Sequence, residues 1–388
     1  MRRLKTVLWL EGYAVLLALL HAHNGVRTDE AKYLLNIPYP HPPLARWALS
    51  LFDGFAWQEL AVRLLFATLM VQAAWIVWDM GRALERPARI ALCALWLASS
   101  AFLLQAGTAM MAPLTALQAL FFLWMLSLPR ERVPAPAMIG FLWLATLFTA
   151  LQGALLLPLA VAALRHRGAP WSQVAWYAGA PAALVVLYAV GNPFTMASLL
   201  IQTGKDAGDT IFDRLRGTSW ILVLAGSGVG TLAGIAGLVL KRHRWILASF
   251  ALVVLYVFVG RFEYYAILFL PFFVTGTKHL FRRHPIFAVP TAAGVVLGTV
   301  AVLSVVPLLT PRSPARYVLG QLGSDTVLLK GSFGHEWQYE AAPDQNVRLY
   351  GQGLEEEASV IVCYADCDDL EGRWRVLDGG LANVWTRR

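Results

Sequence analysis

Asp29 and Glu30 stand side by side just past an apolar run, with Lys32 and Tyr33 directly behind them. Tyr39 and then His41-Pro42-Pro43-Leu44 follow, and Arg63 lies where the next apolar run begins. Carboxylates can take a proton from a weak nucleophile, and Lys, His and Arg can hold a phosphate. Each feature also has a plainer reading. Asp29 and Glu30 can be solvated loop acids. A Pro pair fixes an extended backbone, so His41-Pro42-Pro43 can be a rigid turn. Arg63 can snorkel to lipid headgroups.

The elements around these residues are set by composition. Of the 388 residues, 58% are hydrophobic and only 14% charged. A water-soluble domain carries about 25% charged residues, so the apolar surplus here must face lipid. The formal charge of +8 does not indicate nucleic acid, because Lys and Arg fall between apolar runs and form no basic face. Three Cys exclude a disulfide-rich scaffold. The first apolar run ends in His21-Ala22-His23-Asn24 without a small-residue cleavage site, and reads as a retained signal anchor. Glu11 lies near the start of that run, where exposure at the interface is its cheapest state.

Apolar periodicity predicts an all-α polytopic membrane protein of roughly eleven spans. They fall near 6–21, 60–79, 89–106, 113–128, 136–150, 152–164, 173–190, 219–240, 245–260, 264–280 and 286–307. Gln152-Gly153 is the only break within 136–164. Two spans there place all the basic clusters on one side: Arg2/Arg3/Lys5, Arg82/Arg86/Arg89, Arg130/Arg132, Arg165/Arg167, Lys241/Arg242/Arg244 and Lys278/Arg282/Arg283. The positive-inside rule makes that side, and the N-terminus, cytoplasmic in an inner (plasma) membrane. Segments 22–59, 191–218 and the tail after Pro307 then lie outside. The amphipathic run from Leu44 to Phe55 suits the membrane interface. The Gly residues around 225–237 read as helix-packing positions.

Two domains follow: a transmembrane domain over 1–307, carrying the first external loop 22–59, and a small extracytoplasmic domain over 308–388. Short β-prone runs at Thr326–Leu329, Val347–Tyr350, Ser359–Val362 and Trp374–Leu377 make the tail α+β or β-rich. Cys363 and Cys367 lie in it, and both a disulfide and two free thiols stay open, because positions four apart along a strand are too distant to bridge.

The ordered set Asp29, Glu30, Lys32, Tyr33, His41, Pro42, Pro43, Leu44 and Arg63 resembles the membrane glycosyltransferases of the GT-C fold class. It looks closest to the branch of protein O-mannosyltransferases and lipid A aminoarabinose transferases. Arg261-Phe262-Glu263-Tyr264-Tyr265 and Pro271 resemble a later Arg-Tyr-to-Pro element of that family. The resemblance implies an inverting transferase that moves a sugar from a polyprenyl-phosphate donor to an envelope acceptor (glycolipid, polysaccharide or protein) on the external, periplasmic face. It makes Asp29 the general base, with Glu30 beside it. Lys32, His41, Arg63 and Arg261 become donor-phosphate ligands, and Tyr33, Tyr39, Pro42, Pro43 and Tyr264 pocket residues. The expected partners are membrane lipid, the lipid-linked sugar and the acceptor; no metal-ligating residue is assigned, and a divalent-metal requirement stays open.

Two elements depart from the family. Gly107–Pro113 carries no acid where a second-loop acid is common, and Thr149-Ala150-Leu151-Gln152-Gly153 lacks the Lys of a Thr-Lys-Gly element. A different donor, an acid from Asp206, Asp209 or Asp213, and a catalytically inactive relative all remain open. The competing functions are a non-catalytic protein of this fold that binds polyprenyl-phosphate lipid or supports a partner enzyme, and a transporter or flippase. Few intramembrane charges speak against the last.

Overall fold

The computed structural model describes residues 2–37, 42–193, 195, 210–260, 262–306, 314–320, 326–330, 334–342, 344–350, 358–363, 367, 374–376 and 383–387. Tyr39, His41 and Arg261 of the candidate set, with Asp206 and Asp209, lie outside the described residues. The chain forms two compact units: Met1–Leu19 with Pro38–Leu308, and Leu20–Ile37 with Leu309–Arg388. The first loop, read from the sequence with the membrane domain, is divided between them; its 20–37 stretch groups with the C-terminal residues.

The first unit is helical. Five helices, Leu4–His23, Gln58–Met80, Arg86–Gln105, Trp171–Gly191 and Pro285–Val305, are long and apolar enough to cross a membrane. Met111–Met125, Pro136–Thr149 and Arg244–Gly260 are shorter apolar helices. The two halves of 136–164 are separate elements. The Pro136–Thr149 helix ends at an extended Ala150, and a 3-10 turn, Leu151–Leu156, leads into the Leu157–Arg167 helix. Gly153 is needed there, since a Cβ would press on the Thr146 carbonyl oxygen at 2.7 Å. These features make the chain a multi-pass membrane protein.

The span expected at 219–240 is broken. Ile211–Gly226 and Val229–Lys241 meet at 96°. Ser227 and Gly228 both take positive φ, at +55° and +73°, which ends one helix and redirects the chain. The break is closed by side chains. The Ser100 N–H donates to Ser227 Oγ at 2.9 Å, and Ser100 Oγ donates to the Leu224 carbonyl at 2.6 Å. Thr299 Oγ1 donates to the Ala98 carbonyl at 2.7 Å, so Ser227 Oγ supplies the proton in its 2.6 Å bond to Thr299. Polar groups freed by broken helices in lipid need such partners.

Beyond the break, glycines set the packing. A Cβ on Gly234 would meet Phe273 at 2.7 Å, and one on Gly237 would collide with the Gly276 carbonyl. Small residues let two backbones approach where no water drives helices together. Glu11, partly exposed, also has protein partners. Its carboxylate accepts from Thr68 Oγ1 at 3.1 Å and Gln72 Nε2 at 2.6 Å. The Leu44–Leu49 helix and the turn after it expose Trp47, Leu51, Phe55 and Trp57, as an interfacial segment does.

The second unit holds a five-stranded sheet in the order β2-β1-β3-β5-β4. The strands are β1 (Thr326–Lys330), β2 (Asn346–Leu349), β3 (Val360–Cys363), β4 (Trp374–Val376) and β5 (Asn383–Arg387). β1 runs parallel to β2 and β3, while β5 is antiparallel to β3 and β4. Alternation sorts β1 and β3 onto two faces. Val327, Leu329, Val360 and Val362 pack with Ala315, Leu319 and Trp337 from helices, while Leu328, Ile361 and Cys363 pack on the other side. Cys363 and Cys367 form a disulfide. Cys363 is the last residue of β3, so the pair is not stretched along a strand, and its Cα atoms are 5.9 Å apart.

Candidate active site

In the second unit the acids are carried on α2 (Thr28–Leu34). Arg27 precedes it in extended conformation, and Glu30 Oε2 accepts the Arg27 backbone N–H at 3.1 Å. Glu30 is 1% exposed. Its carboxylate thus closes the first helical turn from a buried position, where an acid also complements the helix dipole. Asp29, one position earlier, is partly exposed, and Lys32 Nζ donates to its Oδ1 at 3.0 Å. Tyr33 and Ala31 are buried, so Asp29 and Lys32 lie on the wetter side of the helix.

A second helix, His335–Glu340, packs against α2. Glu340 Oε1 accepts the Val26 backbone N–H at 3.2 Å, and its Oε2 accepts from Arg316 Nε at 2.8 Å. Arg316 also donates to the Ala22 carbonyl. The entry to α2 is therefore held at two backbone points. Neither Glu340 nor Arg316 was among the sequence-derived candidates, because partners this far apart leave no local pattern.

In the first unit Arg63 is 1% exposed, which rules out a snorkelling role. Its Nε donates to Glu59 Oε1 at 2.8 Å and its Nη1 to the Gly107 carbonyl at 3.2 Å. The i,i+4 spacing of Glu59 and Arg63 was readable from sequence; the burial of Arg63 was not. Arg63 anchors the start of the same acid-free segment, Gly107–Pro113, noted above. Pro42 and Pro43 are buried, and Pro43 caps the Leu44–Leu49 helix. Tyr264 stacks on Phe262 at 5.3 Å and meets Tyr265 edge-on at 4.5 Å.

A neutral polar group surrounds Tyr265. Tyr256 Oη donates to Tyr265 Oη at 2.7 Å, and Gln152 Nε2 approaches the same oxygen at 3.5 Å. Gln118 Nε2 donates to Thr149 Oγ1 at 3.1 Å. Gln152, in the segment without a Lys, is thus held in a buried setting. Among the described residues, no three His, Cys, Asp or Glu side chains converge as a metal site would require.

No protein-family model and no curated protein matches the sequence. Solved structures do. ArnT from Cupriavidus metallidurans bound to undecaprenyl phosphate superposes with a TM-score of 0.61 at 13% identity, covering 98% of each chain. Its apo state gives 0.60 at 14% identity, covering 100% of this chain and 98% of that one. The fold is the GT-C fold.

Proposed function

We propose that this GT-C chain is an inverting membrane glycosyltransferase that takes a sugar from a polyprenyl phosphate and passes it to an envelope acceptor outside the cytoplasm. The observation that carries the reading is the end-to-end likeness to ArnT in a structure bound to undecaprenyl phosphate, and the partly exposed Asp29 early in the chain supports it.

The chemistry asks little of the leaving group. As the acceptor hydroxyl oxygen bonds to the anomeric carbon, the carbon–oxygen bond to phosphate breaks, and its electron pair stays on the phosphate. The hydroxyl proton goes to Asp29, the proposed general base. Cations stabilise the released phosphate, the role assigned to Lys32, His41, Arg63 and Arg261. Attack opposite the leaving group inverts the anomeric centre. Glu30, buried as a cap, serves by fixing α2 and so the direction of Asp29.

A second reading rests on two observations. Lys32 is already bonded to Asp29, and Gly107–Pro113 brings no acid. A lipid-phosphate-binding protein without turnover has no need of either group in a reactive state. Transfer of labelled sugar from polyprenyl-phosphate donors to envelope acceptors separates the two. Turnover by the wild type, lost in Asp29→Asn at equal expression and equal lipid binding, supports the enzyme. Lipid binding with no transfer by the wild type, across donors and acceptors, rejects it for the second reading. Movement of unmodified substrate across sealed vesicles without covalent transfer instead identifies a transporter.

A further inference from the structure

Gln152 is 6% exposed, yet its amide is poorly satisfied. Its nitrogen reaches Tyr265 Oη at the long limit of 3.5 Å and also bears on the Tyr256 hydroxyl, and its oxygen has no partner. Gln118 repeats the pattern: its nitrogen donates to Thr149 Oγ1, and its buried oxygen has no partner. Turning either amide over only exchanges the unmatched arm, so one arm is left over in each orientation. Buried side-chain polar groups are normally paired, so two such amides in one unit call for a partner.

The surroundings say what that partner is. Thr149 hands its proton to the Ala145 carbonyl, and Tyr256 hands its proton to Tyr265. The Met111–Met125 helix, which carries Gln118, packs on both the Leu151–Leu156 turn of Gln152 and the Glu263–Phe269 turn of Tyr265. The five side chains Gln118, Thr149, Gln152, Tyr256 and Tyr265 bear no formal charge, so the set offers nothing to hold a phosphate and no carboxylate for an ammonium. An amide arm of either kind is matched by a hydroxyl, which both donates and accepts. We infer that Gln152 and Gln118 form a sugar-hydroxyl subsite that selects a neutral sugar on the lipid phosphate. The inference rests on the donor class proposed above and deepens it.

The test uses the full chain in nanodiscs and compares binding of bare undecaprenyl phosphate with undecaprenyl phosphates carrying a neutral hexose, a neutral pentose or an amino sugar. The wild type binds at least one neutral-sugar lipid about tenfold more tightly than the bare lipid, the scale of one well-made hydrogen bond to a buried group. Gln152→Leu erases that preference and leaves binding of the bare lipid unchanged. Where the Leu variant fails to fold, Gln118→Leu and the shape-matched Gln152→Glu are read in its place. Equal binding of bare and sugar-bearing lipids by the wild type overturns the subsite, as does preference for the amino sugar. An equal loss of both lipids in folded variants makes Gln152 structural and also overturns it. Failure of the wild type to bind any of these lipids overturns the donor class itself, which the bare-lipid arm reads separately.

Discussion

Glu340 accepts the backbone N–H of Val26 at 3.2 Å, across 314 positions of sequence. Val26 lies just before α2, and the same carboxylate holds Arg316, which reaches the Ala22 carbonyl. The segment that leads into Asp29 is therefore fixed by a helix from the C-terminal part of the chain. Replacing Glu340 with Ala leaves the Val26 N–H and the Arg316 guanidinium without this acceptor. Hydrogen bonds to charged groups contribute about 1.5–3 kcal/mol, and a loss of that size is expected in the second unit. Faster amide exchange from Val26 through Tyr33 is the direct readout. In a transfer assay, kcat falls while donor binding holds. Glu340→Gln, which keeps an acceptor, lies between wild type and Ala.

The Glu59–Arg63 pair gives a different expectation, because Arg63 is buried and Glu59 half-buried within a membrane unit. Breaking a buried pair costs about 3–5 kcal/mol, and the half-exposed Glu59 places this pair toward the lower end. Arg63→Met alone and Glu59→Gln alone are both expected to lower thermal stability strongly in detergent. The double variant is expected to lose less than the sum, since the two side chains contact each other directly. Arg63→Lys keeps the charge but loses the fork that reaches both Glu59 and the Gly107 carbonyl, so it only partly rescues stability. Strict additivity in the double-mutant cycle is the result that contradicts coupling.

What the sequence made legible divides along physical lines. Helices followed from long apolar runs, and β1 to β4 from β-prone clusters between turn residues. β5 (Asn383–Arg387) was missed, because its short run gains its place only by pairing with β3 and β4. The break at Ser227-Gly228 was hidden inside unbroken hydropathy; the left-handed Ser227 depends on Ser100 and Thr299, which are remote in sequence. The partners of Glu11, Thr68 and Gln72, were hidden for the same reason, being on another helix. At the candidate site, residue types suggested Asp29 and Arg63 but not what holds them. Gln152 was noticed only as a missing Lys, since an unsatisfied amide is a property of three dimensions.

The approach of Gly237 to Gly276 predicts a steep size dependence. A Cβ at either position meets backbone, which cannot move aside as a side-chain tip can. Overpacking costs about 1–3 kcal/mol when side chains yield, so Gly237→Leu is expected to exceed that range and Gly237→Ala to approach its top. Thermal unfolding in one detergent ranks wild type above Ala above Leu. Gly12 has open space around its missing Cβ, so Gly12→Ala serves as the control and is expected to leave the midpoint unchanged. Equal midpoints for Gly237→Leu and wild type contradict the close helix crossing.

The Cys363–Cys367 disulfide tests the proposed orientation in living cells. Thiols stay reduced in the cytosol and oxidise in extracytoplasmic compartments of bacteria. If the C-terminal residues face outward, alkylation of intact cells followed by denaturation leaves Cys93 as the sole reactive thiol, and reduction then reveals two more. A loop this short limits the unfolded chain only modestly, so reduction or Cys363→Ser/Cys367→Ser is expected to cost about 2 kcal/mol in the second unit. The first unit, which contains neither residue, keeps its unfolding midpoint. Three thiols reactive before reduction, in cells competent to form disulfides, place the C-terminal residues in a reducing compartment. Asp29 groups with those residues, so the same result removes the external reaction face assigned to it.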